Sequence, residues 1–372
     1  MSIKRFIVET GEKVSDFCAN DMQNVYYNYL MKSNAKKNIG TKHFDVDEKY
    51  ERKCKRWWKI KTGKDIDPLW HNFYSYQNGI KDVRYIPENL YYSIIEPYYN
   101  RKAFAQCCDD KCYYSERFPD IAFPGGVKRP RTILRNISGI FYDADFNILR
   151  DSEAAKKLSI EDSGYVIKES ITGSGGNRII FVEPGETKTI SELLEIFKRY
   201  NKDYVIEGIV EQCDEMKALN PSSINTIRFI TFLDLEGVHI LSACVRMGGE
   251  GSRTDNFSTG GVACGIDSNG RLKKYGYDQQ YNKYSVHPNG HIFAGTQIPN
   301  YETAKEFVKT LARRFGHFRI ISWDIVITPD YSPLIIEFNF TPQSIDLHQI
   351  NNGPLFGKYT EKVLNEAFGK RK

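Results

Sequence analysis

The sequence predicts an α+β fold in which antiparallel strands predominate and a mainly helical region comes first. From position 163 onward, short β-branched and aromatic runs alternate with Gly, Asn and Asp, a pattern typical of hairpins. Two amphipathic helical segments interrupt these runs. Residues 1–100 instead show helical stretches broken by Gly and Pro. This order differs from the regular strand–helix alternation of a parallel doubly wound sheet.

The individual elements follow from the same periodicities. We predict helices at 189–201, beginning at Thr189 or Ser191, and at 301–315, beginning at Asn300, because these residue types cap helix N-termini. A shorter helix is predicted at 152–158. The predicted strands of the second half are 165–169, 177–183, 204–210, 226–233, 239–247, 323–328 and 334–338.

The net charge of +5 is concentrated near the N-terminus. Residues 1–70 hold 15 Lys and Arg against 10 Asp and Glu, whereas the rest of the chain holds 37 of each. The run 51–64 carries seven bases and one acid, and could meet an anionic membrane surface, a polyanion or an acidic partner. The alternative is a solvated helix face with two Trp residues turned inward.

The composition indicates the cellular compartment in which we expect the protein. No stretch of 18 apolar residues occurs, and the N-terminus has too short an apolar run for a signal peptide. The eight Cys fit a reducing cytosol better than a disulfide framework in a chain this long. The segment 107–112 (CCDDKC) lacks a second ligand pair, so it predicts ordinary thiols rather than zinc. We therefore expect a cytoplasmic protein, with contact at the inner face of a membrane as an option.

A cluster of oxygen ligands is the strongest local signal. In the segment 322–342 two strands flank a turn, and a turn centred between Asp330 and Tyr331 places Asp324 opposite Glu337. Asn339 shares the face of Glu337, because side chains alternate along a strand. Carboxylates among apolar residues need a counter-charge, and Mg²⁺ prefers oxygen ligands. The sequence thus predicts a metal site at these three residues; the alternative is an exposed acidic hairpin face.

Two arginines lie on a second predicted hairpin. A turn centred on Gly237 places Arg228 opposite Arg246. Like charges across a strand pair are destabilising unless an anion lies between them, and guanidinium groups bind phosphate and carboxylate in forked geometry. The alternative is a pair of solvent-facing side chains that splay apart.

A lysine and a glycine-rich turn come earlier in the chain. Lys168 interrupts an apolar strand, and the turn allows backbone N–H groups to approach phosphates closely. No GK[ST] follows and no helix opens there, so the turn is not a Walker loop. Its candidate phosphate-binding residues are Gly173, Ser174, Gly175 and Gly176.

The order of these motifs resembles the ATP-grasp superfamily, and more narrowly its sugar-transfer-associated family. The resemblance covers roughly residues 100–365 and rests on four segments: PSSINTIRF (221–229), DNFSTGGVACGID (255–267), HPNGHIFAG (287–295) and SWDIVITP…LIIEFN (322–339). It implies an ATP-grasp fold, with two α+β lobes around a nucleotide cleft. The expected segments are a basic helical region (1–105), a lobe with Lys168, the glycine loop and the hinge (106–215), and a lobe with the arginines and the metal site (216–372).

The resemblance also implies roles for single residues. Lys168 contacts phosphate, Glu207, Ile209 and Val210 belong to the adenine-binding hinge, and Glu211 is a candidate for ribose. ATP and Mg²⁺, with two ions expected and Mn²⁺ as a substitute, are the implied cofactors. Many relatives have a basic residue where this chain has Ser322, and Lys111 and Lys128 are both candidates for a second ATP-contacting lysine. The catalytic candidates are Arg228, Arg246, Asp255 and Asn256.

The function expected from the resemblance is an ADP-forming carboxylate–amine ligase in surface polysaccharide or glycoconjugate biosynthesis. Its expected partners are a small-molecule or sugar carboxylate and an amine, with no nucleic acid, and a membrane or glycosyltransferase contact through 51–64. One alternative is a phosphotransferase acting on a small-molecule or sugar acceptor. The other is a non-catalytic nucleotide-binding partner of a glycosyltransferase assembly. A catalytic role for His287 is less favoured than a structural one.

Overall fold

The computed structural model describes residues 22–118, 121–171, 178–257 and 260–369. Its α-helices are α1 Met22–Asn38, α2 Glu48–Thr62, α3 Leu69–Asn78, α4 Glu88–Leu90, α5 Glu96–Tyr99, α6 Lys102–Cys108, α7 Asp151–Ser159, α8 Ile190–Tyr200, α9 Asp214–Lys217, α10 Tyr301–Ala312, α11 Asp346–Asn352 and α12 Thr360–Phe368. A π-helical turn, Tyr91–Ile95, joins α4 to α5, and short 3₁₀ helices span Lys111–Glu116 and Gly357–Tyr359.

The strands form two sheets. They are β1 Thr132–Ile137, β2 Ile140–Asp143, β3 Ile148–Leu149, β4 Tyr165–Glu169, β5 Ile180–Val182, β6 Tyr204–Gly208, β7 Thr226–Asp234, β8 Gly237–Met247, β9 Val262–Ile266, β10 Leu272–Asp278, β11 Lys283–Tyr284, β12 Ile320–Ile327 and β13 Pro333–Asn339. The strand order is β3-β2-β1-β6-β4-β5 in one sheet and β11-β10-β9-β8-β7-β12-β13 in the other.

The described chain divides into two compact units. One contains 22–103, 317–320 and 340–369, and is helical; the other contains 104–316 and 321–339 and holds both sheets. The predicted α+β class with a helical N-terminal region is confirmed. The predicted segments 1–105, 106–215 and 216–372 are a division by function, and they stay a prediction.

The basic run 51–64 lies largely on α2 of the helical unit. The helix begins at Asp47, whose side chain accepts a hydrogen bond from the Tyr50 N–H (3.0 Å), and ends at Gly63 with φ of 70°. Of its two tryptophans, Trp58 is fully buried and donates through Nε1 to His71 Nε2 (3.1 Å) and to the Val83 carbonyl (3.0 Å). Trp57 is only half-buried. The inward face is therefore apolar and the bases point outward.

Buried polar groups fasten the C-terminal segment to the helical unit. Glu96 is fully buried and accepts hydrogen bonds from the Thr341 hydroxyl and the Gln343 N–H, both at 2.8 Å. Asn100 donates to the Ile320 carbonyl (2.7 Å) and the Phe340 carbonyl (2.6 Å). These contacts satisfy backbone groups of a segment without regular structure, as burial requires.

The six-stranded sheet is covered by helices α7 and α8. Their apolar residues, among them Leu158, Leu193 and Phe197, form one core with the inward residues of β1, β2, β4, β5 and β6. Helix α8 begins as predicted at Thr189, which exchanges a capping box with Glu192. Strand β4 has the predicted bounds, whereas β5 and β6 are shorter than predicted.

The seven-stranded sheet packs against α10. Phe307, Val308 and Leu311 are fully buried on the inward face of this helix. Asn300 precedes α10 as predicted, but its side chain accepts from the Thr303 hydroxyl (2.6 Å) instead of capping a backbone N–H. Within the described part of the chain, no helix has the length and apolarity needed to cross a membrane.

Candidate active site

The hairpin of β12 and β13 positions the three predicted oxygen ligands. Asp324 pairs directly with Glu337, as the sequence predicts, and Ser322 pairs with Asn339. Asp324 is buried, whereas Glu337 and Asn339 are half-exposed. A β-bulge follows the pair, since Ile325 faces Ile335, and it aids the strong twist of this hairpin. The two carboxylates and the amide thus share one face of the sheet.

Two arginines from the neighbouring strands converge on Asp324. Arg228 donates from Nε to Oδ1 (2.7 Å) and from Nη2 to Oδ2 (2.5 Å), and Arg246 donates from Nη1 to Oδ2 (3.0 Å). Burial alone would raise the pKa of Asp324, but the charge of Arg228, and then that of Arg246, outweighs it and holds the pKa below its usual value. Asp324 is therefore a carboxylate, as a metal ligand must be.

The predicted register of the arginine hairpin is wrong. Thr226, not Arg228, faces Arg246, and Arg228 faces Cys244. The turn lies between Asp234 and Gly237, closer to the N-terminus than predicted, and a bulge between Ile230 and Thr231 moves the register one residue back towards the predicted one. Both arginines still lie on one face, because positions two apart share a face. In the observed register, both arginine side chains contact the Asp324 carboxylate and do not face each other across the strands.

Arg246 also links Asp324 to the segment 255–257. Its guanidinium lies 3.5 Å from Asp255 Oδ1, 3.4 Å from Asn256 Oδ1 and 5.1 Å from the centre of the Phe257 ring. The Thr226 hydroxyl donates to the Asp255 carboxylate. Burial raises the pKa of Asp255, and the charge of Arg246 offsets only part of this effect. The structure thus places the candidates Asp255 and Asn256 beside the Arg pair.

Lys168 reaches the hinge strand. Its Nζ lies 2.6 Å from Glu207 Oε2, since β4 and β6 are neighbours and Val166 pairs with Glu207. The Ile209 N–H donates to the Gly164 carbonyl (3.4 Å). Among the hydrogen bonds of the described residues, none uses the backbone N–H of Val210 or Glu211. These two groups are available to a planar base with acceptor atoms.

Lys111 is the upstream lysine that the structure brings to the metal ligands. Its Nζ lies 2.9 Å from Glu337 Oε1, and only 9% of its side chain is exposed. Burial lowers the pKa of Lys111, but Glu337, and then Asp109 and Glu207, outweigh burial and raise it overall. Lys128, the other candidate, pairs with Asp330 at the turn of the metal hairpin. Lys111 therefore stands between Glu337 on one sheet and Glu207 on the other.

Asp109 is a site residue that our sequence reasoning missed. Burial raises its pKa to about 7, and repulsion from Glu337 adds to the effect of burial, whereas Lys111 opposes it. One oxygen of its carboxyl group is buried with no hydrogen-bond partner among the described residues. The signal was the adjacent acid–acid–lysine triplet 109–111, which we weighed only as part of a possible zinc knot.

The remaining candidates fall outside the cluster or outside the described residues. Gly173, Ser174, Gly175 and Gly176 lie in 172–177, which the structure does not describe. Cys112 is a buried thiol whose Sγ donates to the Tyr204 carbonyl (3.6 Å). His287 is buried with Nε2 3.0 Å from the Gly248 carbonyl, and burial lowers its pKa. Gly248 lies at the start of the loop that leads to Asp255, so this contact gives His287 a structural role.

The side chains present fit a divalent cation. A carboxylate has about four lone-pair positions, and the arginines use three on Asp324. Glu337 receives Lys111 on Oε1, and Asn339 is half-exposed. All the ligand atoms are oxygens, the class that Mg²⁺ and Mn²⁺ prefer. Two carboxylates and an amide on one face are therefore a suitable donor set for these ions.

The fold and the motifs agree with comparisons to known proteins. A family model described as sugar-transfer associated ATP-grasp matches residues 92–365. No curated protein matches the chain. Similar solved structures include the biotin carboxylase domain of 2-oxoglutarate carboxylase from Hydrogenobacter thermophilus with MgADP, which is 14% identical over 71% of this chain and 46% of that chain, with a TM-score of 0.40.

Two further similar structures are described as a ligase and as a synthetase. The ATP-grasp ligase PsnB with a minimal precursor is 12% identical over 72% of this chain and 64% of that chain, with a TM-score of 0.40. D-cycloserine synthetase DcsG is 12% identical over 69% of this chain and 70% of that chain, with a TM-score of 0.36. The chain thus spans less than two thirds of the carboxylase and PsnB structures. Because the family model covers most of the sequence, the chain belongs to the sugar-transfer-associated ATP-grasp family.

Proposed function

We propose that the protein is an ATP-dependent, ADP-forming ligase that activates a carboxylate as an acyl phosphate and joins it to an amine. The observation that carries the proposal is the pairing of Asp324 with Glu337 beside two arginines and Lys111. Two guanidinium groups, which suit an anion, contact Asp324, and Asp324 pairs with a second oxygen ligand, Glu337, on the same face of the sheet. This combination suits transfer of a phosphoryl group from a nucleotide.

Each group has a distinct part in the proposed reaction. Asp324, Glu337 and Asn339 would hold Mg²⁺, which supplies charge neutralisation at the phosphate oxygens. Lys111 and Lys168 would bind phosphate oxygens as point charges. The oxygen of the substrate carboxylate attacks the γ-phosphorus and ADP leaves, while Arg228 and Arg246 stabilise the negative charge on the transferred group.

The second step forms the amide. The amine attacks the carbonyl carbon of the acyl phosphate, inorganic phosphate leaves, and the amine loses a proton. Asp255 lies against Arg246 and has a raised pKa, so its carboxylate is placed and tuned to accept that proton. Asn256, which also lies near Arg246, would orient the acceptor.

The nucleotide base would lie along the hinge after β6. The uncommitted backbone N–H groups of Val210 and Glu211 suit adenine, and Glu211 is exposed and available to a ribose hydroxyl. Glu207 would act through Lys168, which it holds at 2.6 Å. The glycine loop 173–176 remains a proposed phosphate contact. By its family, the protein would act in the biosynthesis of a surface polysaccharide or glycoconjugate, in the cytoplasm.

A screen for ADP release tests the reaction. Pairs of uronic acids and amino acids are offered with MgATP, and the products are analysed. A ligase gives an amide, ADP and free phosphate, whereas a phosphotransferase gives a phosphorylated acceptor without free phosphate. Tight ATP binding without turnover for any pair would favour a non-catalytic nucleotide-binding role.

Matched variants of the metal hairpin test the site. We expect Asp324→Asn and Glu337→Gln each to lower ADP release by at least about 100-fold, because each removes a charge at the developing phosphoryl group. Asp330→Asn, which changes a carboxylate on the turn of the same hairpin, should leave turnover unchanged. Thermal melting shows whether each variant is folded. Wild-type ADP release from either site variant would refute the assignment.

A further inference from the structure

Helix α1 presents an apolar stripe to solvent. Met22, Val25, Tyr26 and Tyr29 are spaced by three and four residues, so they lie on one side of the helix. Their exposed fractions are 59, 69, 58 and 73%. The opposite side is already packed, since Ala35 is buried and Tyr27 stacks on Tyr92 at 5.8 Å between ring centres. Most of the surface of the stripe is therefore open to solvent.

The same side of α1 becomes basic towards its C-terminus. Lys32, Lys36 and Lys37 are exposed in the last two turns. The 17-residue helix contains no Asp or Glu. The exposed side of α1 is thus apolar in its first half and cationic in its second.

Helix α2 carries a second stripe of the same character. Lys49, Lys53, Arg56 and Ile60 are spaced by four, three and four residues, and all are exposed, Ile60 to 69%. Lys49, Lys53 and Arg56 have no ion pair with any described residue. Residues 65–67, which follow the C-terminal end of α2, line a cavity of about 210 Å³ together with Lys32 and Lys36, so the C-terminal ends of α1 and α2 lie near each other.

We propose that the exposed sides of α1 and α2 form a docking surface for an anionic lipid bilayer. Tyr, Met, Val and Ile side chains would enter the headgroup region, where aromatic rings are favoured, and the bases would meet phosphate and carboxylate headgroups. The proposal is independent of the proposed ligase activity, because none of these residues belongs to the candidate active site.

The charge pattern of this surface favours a bilayer over two other kinds of partner. A soluble polyanion attracts the bases but offers no apolar phase for Val25, Tyr26 and Tyr29. A second copy of the chain, docked symmetrically through this side, would set lysines against lysines. A bilayer with acidic headgroups satisfies the apolar and the cationic halves together.

Vesicle co-sedimentation of the full chain tests the surface. Wild-type protein should bind vesicles of phosphatidylcholine and phosphatidylserine, bind phosphatidylcholine alone at least tenfold more weakly, and dissociate as salt rises. The double variant Lys53→Gln/Arg56→Gln should weaken binding about 25-fold, at about fivefold per charge. Val25→Ser/Tyr29→Ser should weaken it at least about tenfold, through lost apolar burial.

Exposed residues of the other unit supply matched controls. Lys156→Gln/Lys198→Gln removes two exposed helical lysines, and Ile160→Ser/Leu235→Ser removes two side chains exposed to 78 and 103%. Both controls should bind vesicles as wild type does, and all four variants should keep wild-type ATP turnover in solution. Failure of turnover in the wild type would concern the proposed function alone.

Three results would overturn the bilayer proposal. The first is absence of wild-type binding to the acidic vesicles at low salt. The second is binding to a soluble polyuronate that falls in the basic variant but not in the apolar one, which marks a polyanion surface. The third is a dimer in solution that becomes a monomer in Val25→Ser/Tyr29→Ser while vesicle binding is unchanged.

Discussion

At the scale of single residues, ion pairs with neighbouring charges set the positions of the charged side chains in the candidate site. Lys111 is almost fully buried, and it lies 2.9 Å from Glu337 with Asp109 and Glu207 close enough to raise its pKa. Three carboxyl groups surround this lysine, so it can bind a further anion only if a cation offsets their negative charge. In the proposed reaction Lys111 would therefore couple the nucleotide phosphates to the metal ligands.

The two upstream lysines provide a comparison at this scale. We expect Lys111→Met to lower kcat/KM for ATP by about 100-fold or more, because one charged donor to a reacting phosphate is worth about that much. Lys128→Met, which removes a lysine paired with Asp330 on the hairpin turn, should change kcat/KM by less than about twofold. Steady-state kinetics on both variants decides the assignment, and equal losses would contradict it.

The sequence predicted which residues form the site more accurately than it predicted which residues they contact. Asp324 and Glu337 were placed opposite each other because a short turn with Asp330 fixes the register of a hairpin. Arg228 and Arg246 were misaligned because the turn of their hairpin lies closer to the N-terminus than Gly237, a difference that the bulge between Ile230 and Thr231 offsets only in part. Contacts made by residues outside the sheets, such as Lys111 on its 3₁₀ helix with Glu337 on β13, depend on tertiary packing that no local pattern encodes.

At the scale of elements, a buried polar network joins the segment after the hinge to strand β7. Asn225 is fully buried and donates to the Met216 carbonyl (2.8 Å) and the Asn220 carbonyl (2.9 Å). Its N–H donates to Gln212 Oε1 (2.9 Å). The network fixes the start of β7, and hence Thr226 and Arg228, relative to the hinge.

Loss of this network should be costly. Asn225→Ala removes the side-chain donor of two buried carbonyl groups, of which that of Met216 keeps the Leu219 N–H (3.2 Å), so we expect the free energy of unfolding to fall by about 1–3 kcal/mol in urea. Asn147→Ala, at an exposed turn, should change it by less than about 0.5 kcal/mol. A variant at position 225 as stable as wild type would mean that the segment is held by other contacts.

The element boundaries show what local sequence encodes. Helix α8 begins at Thr189, because its capping box with Glu192 is written in four consecutive residues. Strand β5 is shorter than predicted, since its apolar alternation continues beyond the residues that find a partner strand. A local capping signal therefore specifies where α8 begins, whereas the pairing partner decides the extent of β5.

The carboxyl group of Glu88, in the helical unit, makes the stability of the folded protein depend on pH. Burial, and then repulsion from Asp346, raises the pKa of Glu88 to about 8, whereas bonds from Tyr74 (2.9 Å) and Trp70 (3.1 Å) to its Oε1 oppose the rise. A carboxyl group with a raised pKa binds a proton in the folded protein that it loses on unfolding. Its contribution to stability is therefore complete below about pH 4.5 and is lost as pH rises through about 8.

Glu88→Gln reproduces the protonated side chain without its titration. We expect the variant to melt near the wild-type temperature at pH 4 and several degrees above it at pH 9. Glu48→Gln, which changes an exposed residue paired with Arg52, should follow the wild type at both values. Melting curves recorded by circular dichroism across this range provide the measurement, and parallel pH profiles for Glu88→Gln and wild type would disprove the effect.

For the molecule as a whole, we expect the charges of the candidate site to make nucleotide binding depend on a divalent ion. Lys111, Lys168, Arg228 and Arg246 are matched by the carboxyl groups of Glu207, Glu337, Asp324 and Asp255. The triphosphate would therefore bring its negative charge into a site whose own charges nearly cancel. Mg²⁺ at Asp324 and Glu337 would restore the balance.

Thermal shift assays with a non-hydrolysable ATP analogue test this balance. At 100 times its dissociation constant, the analogue with Mg²⁺ should stabilise the folded protein by about 2.7 kcal/mol, which raises the melting temperature by about 3 °C. With EDTA in place of Mg²⁺, or in Asp324→Asn and Glu337→Gln, most of this rise should disappear, whereas Asp330→Asn should keep it. A full shift in EDTA would show that the lysines and arginines alone suffice for the triphosphate, and the three oxygen ligands would then need another explanation.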